Sequence, residues 1–331
     1  MNAPSAAFLG ANSCMHWAYP APLREEIARR VRYIALETNQ WKQTRESLES
    51  VEVILSSWGM PKMTPEFLDR FPSLRGVFYA AGDVKPFVTE ASQERDITVC
   101  SAREANAIPV AEYTCAVIFL SLKRFWYFHR TTHQNRSWKR EVPDAIGGYN
   151  TCVGLVSLGA VGRRVARTLA NHELQVMVYD PYISREEAAE VGATLTTLED
   201  LFSECDVISV HTPWLQDTEG MINASLFEMM KPNATLINTS RGAVVNEPDL
   251  ISVLAQRHDL TAVLDVTWPE PPPKDTPLFT MPNVILTPHI AGSLGTEVTR
   301  MGRWMTDDMF RFLDGLPLEH QVPLRDLNGV A

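Results

Sequence analysis

Two rhythms of apolar positions alternate along the chain. Short unbroken apolar runs at residues 6–9, 33–36, 51–55, 74–79 and 97–100 predict buried strands. Between them, residues 23–30, 45–48 and 64–70 read as helices, the last with Thr64 as cap and Pro65 in the first turn. Residues 109–130 carry a longer helical pattern through Tyr113, Val117, Leu120, Phe125 and Phe128, which predicts one hinge helix leaving a first domain for a second. A polar, glycine-bearing loop follows at 136–150. Strands are then predicted at 153–158, 176–179, 206–211, 235–238, 260–265 and 284–287, with Asn223 and Asn246 capping helices between them. An amphipathic segment at 298–313 returns to the first domain and makes it discontinuous. Such alternation implies an α/β protein of parallel sheets, with its chemistry at the carboxyl ends of the strands.

The stretch from Val153 to Asp180 organises this pattern. Its strand runs into Ser157, Leu158, Gly159, Ala160, Val161 and Gly162, a tight turn opening a helix whose first amides are free for an anion. At the end of the following strand, Asp180 suits a ribose hydroxyl and repels a 2'-phosphate, which favours NAD over NADP. Serine replaces the first glycine of the dinucleotide fingerprint, and is expected to tighten the turn rather than abolish it. The first domain lacks such a turn and reads as the other wall of a cleft.

Composition narrows the class. With 331 residues, 45% of them apolar, the chain can build two domain cores. A formal charge of −10 argues against nucleic acid or an anionic membrane as main partner. The five cysteines form no close Cys-x-x-Cys pair, so neither a disulfide framework nor a metal site is expected, and a reduced cytoplasmic setting fits. No secretion signal is read at the start, and no stretch is read as long and apolar enough to span a membrane.

Three groups of complementary chemistry follow successive strands. Arg241, in Thr239-Ser240-Arg241-Gly242, offers a planar fork for a carboxylate and a neighbouring carbonyl oxygen. Glu270, in the loop that begins at Asp265, and His289, in Thr287-Pro288-His289, can form a carboxylate–imidazole pair.

Together with Ala105-Asn106-Ala107, Val110-Ala111-Glu112, Tyr179-Asp180-Pro181, His211-Thr212-Pro213, Thr218, Met221-Ile222-Asn223 and Asn238, these motifs are similar to those of the D-isomer-specific 2-hydroxyacid dehydrogenases. The resemblance spans nearly the whole chain. It implies a Rossmann-type doubly wound NAD-binding domain (105–294) and a discontinuous flavodoxin-like substrate domain (1–104 and 295–331), with a cleft between them. The resemblance makes Arg241 the substrate anchor, His289 the acid/base and Glu270 its partner. It places Asp265 by the nicotinamide carboxamide, and has His211, Thr212, Pro213, Thr218 and Thr239 line the cofactor groove. A homodimer acting on a small 2-oxo or 2-hydroxy acid is the expected form.

Departures bear on the substrate. The loop Ala80-Ala81-Gly82-Asp83-Val84-Lys85 corresponds to the family's substrate loop, but carries Val84 where an acidic residue is customary. Ala81, Gly82 and Trp58 are the expected substrate contacts. Lys85 reads as a surface lysine, with a second anionic group on the substrate as the alternative, and Trp214 and Trp268 as packing residues. Glu270 argues against the formate dehydrogenase branch. Two further readings stay open: a dehydrogenase of the phosphite branch, and an NAD(H)-sensing binding protein resembling transcriptional corepressors.

Overall fold

The computed structural model describes residues 3–138 and 147–324, so the middle of the loop expected at 136–150 lies outside the described residues. Its residues fall into two compact units, one running to Ala107 and resuming at Ser293, the other spanning Ile108–Gly292.

The first unit is laid out by its apolar runs. In chain order it comprises β1 (Ser5–Gly10), α1 (Asn12–Ala18), α2 (Ala21–Ala28), β2 (Arg32–Glu37), β3 (Val53–Ser56), α3 (Pro65–Arg70), β4 (Gly76–Tyr79), α4 (Glu90–Glu94) and β5 (Thr98–Ser101). Its strands form a wholly parallel sheet in the order β2-β1-β3-β4-β5, the flavodoxin-like arrangement. β3 and β4 are buried throughout, as unbroken apolar runs require. Thr64 caps α3 by accepting from the Phe67 amide. The helix expected at 45–48 does not form. A single tight turn at Gln40–Lys42 precedes it instead, drawn in by Trp41, which is buried edge-on against Phe67 with ring centroids 5.0 Å apart.

α5 (Arg103–Leu122) leads out of this unit, and α6 (Phe125–Asn135) follows it. The single helix predicted over 109–130 is therefore two, broken where Arg124 adopts a left-handed φ of 49°. By length and composition α5 could cross a membrane, which corrects the reading that no stretch qualifies; 61% of its most apolar window is nevertheless buried. Ala111, Cys115, Ile118 and Leu122 pack with Val153, Leu155, Val165 and Leu169 of the second unit.

The second unit continues with β6 (Cys152–Val156), α7 (Ala160–Leu169), β7 (Gln175–Tyr179), α8 (Arg185–Ala189), β8 (Thr194–Leu195), α9 (Leu198–Glu204) and β9 (Val207–Val210). α10 (Ala224–Met229), β10 (Thr235–Asn238), α11 (Glu247–Gln256), β11 (Thr261–Leu264) and β12 (Val284–Leu286) complete it. The parallel seven-stranded sheet runs β12-β11-β10-β9-β6-β7-β8. The chain starts at β6, builds outward to β8, then returns to β9 and builds the other way, so its topological switch point lies between β6 and β9. α5 and α7 cover one face; α9, α10 and α11 bury Leu201, Phe202, Phe227, Leu250 and Leu254 on the other. Asn223 and Asn246 cap α10 and α11 as predicted.

α12 (Thr296–Leu313) belongs to the first unit, where Met301, Met305 and Met309 join Phe8, Tyr19 and Ile27 in the core. Beyond it, the buried Asp308 carboxylate accepts from the amides of Glu319 and His320, and residue 321 bridges to Cys100 of β5. α12 meets α1 backbone to backbone at Gly302, where an added Cβ would stand 1.8 Å from the Ala18 carbonyl oxygen. Helix propensity alone favours Gly302→Ala by about 1 kcal/mol. The contact reverses the sign: we expect this variant to lose about 3 kcal/mol in urea unfolding, because neither backbone can retreat.

Candidate functional site

Six strands of the second unit end in register. Tyr179, Val156, Val210, Asn238, Leu264 and Leu286 stand side by side across β7, β6, β9, β10, β11 and β12. Chemistry-bearing residues sit within a few positions of these ends, so one sheet edge gathers them.

At the switch point, β6 turns into α7 through Ser157. Its φ is 82°, a left-handed value that normally selects glycine. Ser157 holds this conformation through its amide to the Tyr179 carbonyl (2.7 Å) and its hydroxyl to Asp180 Oδ2 (3.2 Å). Serine thus ties the turn to the acidic residue of the next strand, which glycine cannot do. Gly159 caps α7 without a side-chain bond, leaving the first helical amides without side-chain partners. At Gly162 an added Cβ would lie 2.3 Å from the Ser157 carbonyl oxygen, so only glycine lets helix and turn approach this closely. Asp180 accepts from the amides of Leu158 (2.8 Å) and Tyr182 (2.9 Å) and keeps spare lone pairs for a ribose hydroxyl. Ala160, Val161 and the exposed Pro181 frame this seat, which fits a dinucleotide.

The next strand ends carry the residues expected to line a cofactor groove. Thr212 Oγ1 donates to the Val156 carbonyl (3.3 Å), and Thr218 Oγ1 pins the Pro213 carbonyl (2.6 Å). Thr239 shares a buried hydroxyl contact with Thr114 (2.9 Å). His211 lies 3.1 Å from the Ser209 hydroxyl, and burial lowers its imidazole from the usual range to about 4. A histidine depressed from 6.5 stabilises nothing by protonation. His211 costs the fold nothing above about pH 6.5 and weakens it as pH falls toward 4, where the unfolded chain takes up the proton more readily. Between pH 7 and pH 4.5 the wild type should lose up to about 2.5 kcal/mol more than His211→Gln in urea unfolding.

β10, β11 and β12 present the three groups of complementary chemistry. Asn238 is almost fully buried; its side chain accepts from the Ser240 amide and hydroxyl and donates to the Arg241 carbonyl, shaping the loop. Arg241 projects outward, its guanidinium bonded only to its neighbour's carbonyl at 2.8 Å, with no carboxylate partner among the described residues. An added Cβ on Gly242 would strike the Thr267 carbonyl oxygen, so this loop lies directly against the one leading to Glu270. His289 Nδ1 and Glu270 Oε1 are 2.6 Å apart, both side chains about half exposed. The carboxylate fixes Nδ1 as the protonated nitrogen and leaves Nε2 to work.

Asp265, 2% exposed, explains how His289 is held. Its carboxylate accepts from the Thr287 hydroxyl (2.5 Å) and from the Ile290 and Ala291 amides (2.8 Å each), and its carbonyl accepts the His289 amide. His289 thereby sits at a φ of 55°. Sequence reasoning did not single out Thr287 or Asn238 as supports; their only signal was a polar residue flanking each motif. Trp214 and Trp268 pack on one another edge to face, centroids 4.3 Å apart, yet each stays more than 40% exposed.

In the first unit, Trp58 stands partly exposed just past β3, beside the switch point between β1 and β3, and its carbonyl accepts the Ala11 amide. Ala81 is buried, with Gly82 beyond it; the Ser101 hydroxyl donates to both carbonyls, and among the described residues nothing engages the amides of Gly82 and Asp83. Val84 points into the core, and Lys85 gives its amide to the Asp83 carboxylate.

Known proteins match this arrangement. The family model of the D-isomer-specific 2-hydroxyacid dehydrogenase NAD-binding domain matches residues 115–291. A D-3-phosphoglycerate dehydrogenase of Archaeoglobus fulgidus is 31% identical over 80% of this chain, which spans only half that relative's length. An (S)-sulfolactate dehydrogenase of Chromohalobacter salexigens is 34% identical over 74% of this chain and 79% of its own. In fold, a phosphoglycerate oxidoreductase of Rhizobium etli superposes with a TM-score of 0.81 at 22% identity, covering 97% of this chain and 98% of that one. The chain belongs to the D-isomer-specific 2-hydroxyacid dehydrogenase family, and its second unit carries that family's NAD-binding domain.

Proposed function

We propose that the protein interconverts a 2-oxo acid and its D (R) 2-hydroxy acid with NAD as redox partner. The observation that carries this reading is the Glu270–His289 pair at 2.6 Å, on the sheet edge that also bears the dinucleotide turn and Arg241, which has no carboxylate partner among the described residues. NADH supplies the hydride. Protonated His289 gives the Nε2 proton to the 2-oxo oxygen, and Glu270 balances the imidazolium and keeps the ring aimed. Arg241 grips the carboxylate in a two-point fork and polarises the ketone. In oxidation, neutral His289 takes the hydroxyl proton back.

The first unit is the proposed substrate domain, with Trp58, Ala81 and Gly82 as contacts and the idle amides of Gly82 and Asp83 as carboxylate donors. The relatives' names make a second anionic group on the acid a natural variant, with Lys85 as the cation to meet it. A homodimer is proposed as the working form: α6 buries no residue fully, and Phe119, Leu120 and Leu122 at the end of α5 line, with Tyr149 and Leu174, an apolar groove of about 840 Å³. Sedimentation as a monomer contradicts that part.

The reading is tested by following NADH absorbance against glyoxylate, hydroxypyruvate, pyruvate, phenylpyruvate and a phosphorylated oxo acid, with each active acid repeated using NADPH. We expect rapid loss on at least one acid and a preference for NADH. Asp180→Ala should cut that preference at least tenfold, since the carboxylate that takes the ribose hydroxyls also repels a 2'-phosphate. No oxidation of NADH by any acid, with NADH bound, contradicts the reading.

A further inference from the structure

Two cysteines that lie 53 residues apart in sequence meet in the second unit. Cys152 opens β6 and Cys205 ends α9, and their sulfurs are 2.9 Å apart, within about 1 Å of bonding distance. The approach is built into the fold. β6 carries Gly154 beneath α9, where an added Cβ would come 2.6 Å from Leu201 and 3.0 Å from the Cys205 sulfur; without a side chain there, α9 settles onto the strand. Met177 Sδ closes the far side at 3.8 Å from Cys205.

The pair is also chemically asymmetric. The S–H···S contact, in which either sulfur can donate, draws the Cys152 thiol below its ordinary range and raises that of Cys205. Lys231, bonded to Asp206 at 2.6 Å, adds positive charge, while Asp206 and Glu204 oppose it. Cys152 is slightly exposed and Cys205 fully buried, so the sulfur nearer to solvent is also the better nucleophile. Cys115, in contrast, is pushed up to about 11 by burial.

We propose that Cys152 and Cys205 form an oxidative modification site, a dithiol that hydrogen peroxide converts into an internal disulfide. The Cys152 thiolate attacks one peroxide oxygen, the O–O bond breaks, and Cys152 becomes a sulfenic acid as the leaving hydroxide takes a proton to form water. Cys205 then attacks the Cys152 sulfur, the S–O bond breaks, and hydroxide leaves with the Cys205 proton as a second water. Two thiols are oxidised by two electrons and one peroxide is reduced to two waters. Neither cysteine belongs to the dinucleotide turn or the reactive edge, so this chemistry is separate from the proposed turnover.

The test is to treat the whole protein with a slight excess of hydrogen peroxide, alkylate the remaining thiols after unfolding, and map the peptides by mass. We expect a loss of about 2 Da, alkylation of Cys14, Cys100 and Cys115, and one cross-linked peptide joining Cys152 to Cys205, reversed by dithiothreitol. In Cys205→Ser, a dione probe for sulfenic acid should label Cys152 ahead of the other cysteines. Five alkylated thiols in the wild type, or a bond between another pair, overturns the proposal whether or not the variant folds. A folded variant whose Cys152 resists the probe overturns the assigned order of attack.

Discussion

His289→Asn should lower turnover of the accepted 2-oxo acid by about a thousandfold while NADH affinity changes by less than about twofold. Asparagine fills similar space but has no acidic proton to give at neutral pH, so the hydride acceptor loses its acid while the dinucleotide turn, several strands away at the β6 end, is untouched. Glu270→Gln should have a milder effect, since it keeps a hydrogen-bond partner for the ring and removes only the charge that balances the imidazolium. Steady-state kinetics and NADH fluorescence titration of both variants separate these effects. Near-normal turnover in His289→Asn contradicts the assignment of the acid.

Arg241→Ala should reduce kcat/KM by about a hundred to a thousandfold, mostly through KM. Two charge-assisted bonds to one carboxylate are worth about 3–4 kcal/mol, and ground state and transition state both use them. Arg241→Lys should recover only part, since an ammonium restores charge but not the two-point fork. The side chain makes no ion pair among the described residues and its only bond is to Ser240, so the variants should leave unfolding stability within about 0.5 kcal/mol. An unchanged KM in Arg241→Ala removes the anchor from the account.

Much of this was legible because parallel strands buried on both faces must be apolar runs. β3, β4, β6, β9 and β10 read directly as such, and their carboxyl ends then located the candidate site residues. What stayed hidden depends on contacts distant in sequence or on backbone choices that residue type does not announce. Nothing around Arg124 signals a break between α5 and α6; no glycine or proline stands there, and the left-handed turn is visible only in the structure. α1 escaped because it buries only Met15 and Ala18 and starts without a side-chain cap. Serine at 157 read as a departure from the fingerprint, whereas its hydroxyl bond to Asp180 makes it part of the turn. The support of His289 was equally invisible, since Asp265 reaches donors more than twenty residues later. The cysteines looked scattered, and only the packing of α9 on β6 brings two of them together.

The most direct test of the central claim is the fate of the hydride. With NADH deuterated at the reactive face of C4 and the best acid of the panel, one deuterium should appear at C2 of the product, with the D (R) configuration and in step with the NADH consumed. A product of the opposite hand, or NADH oxidised without deuterium reaching C2, contradicts the account.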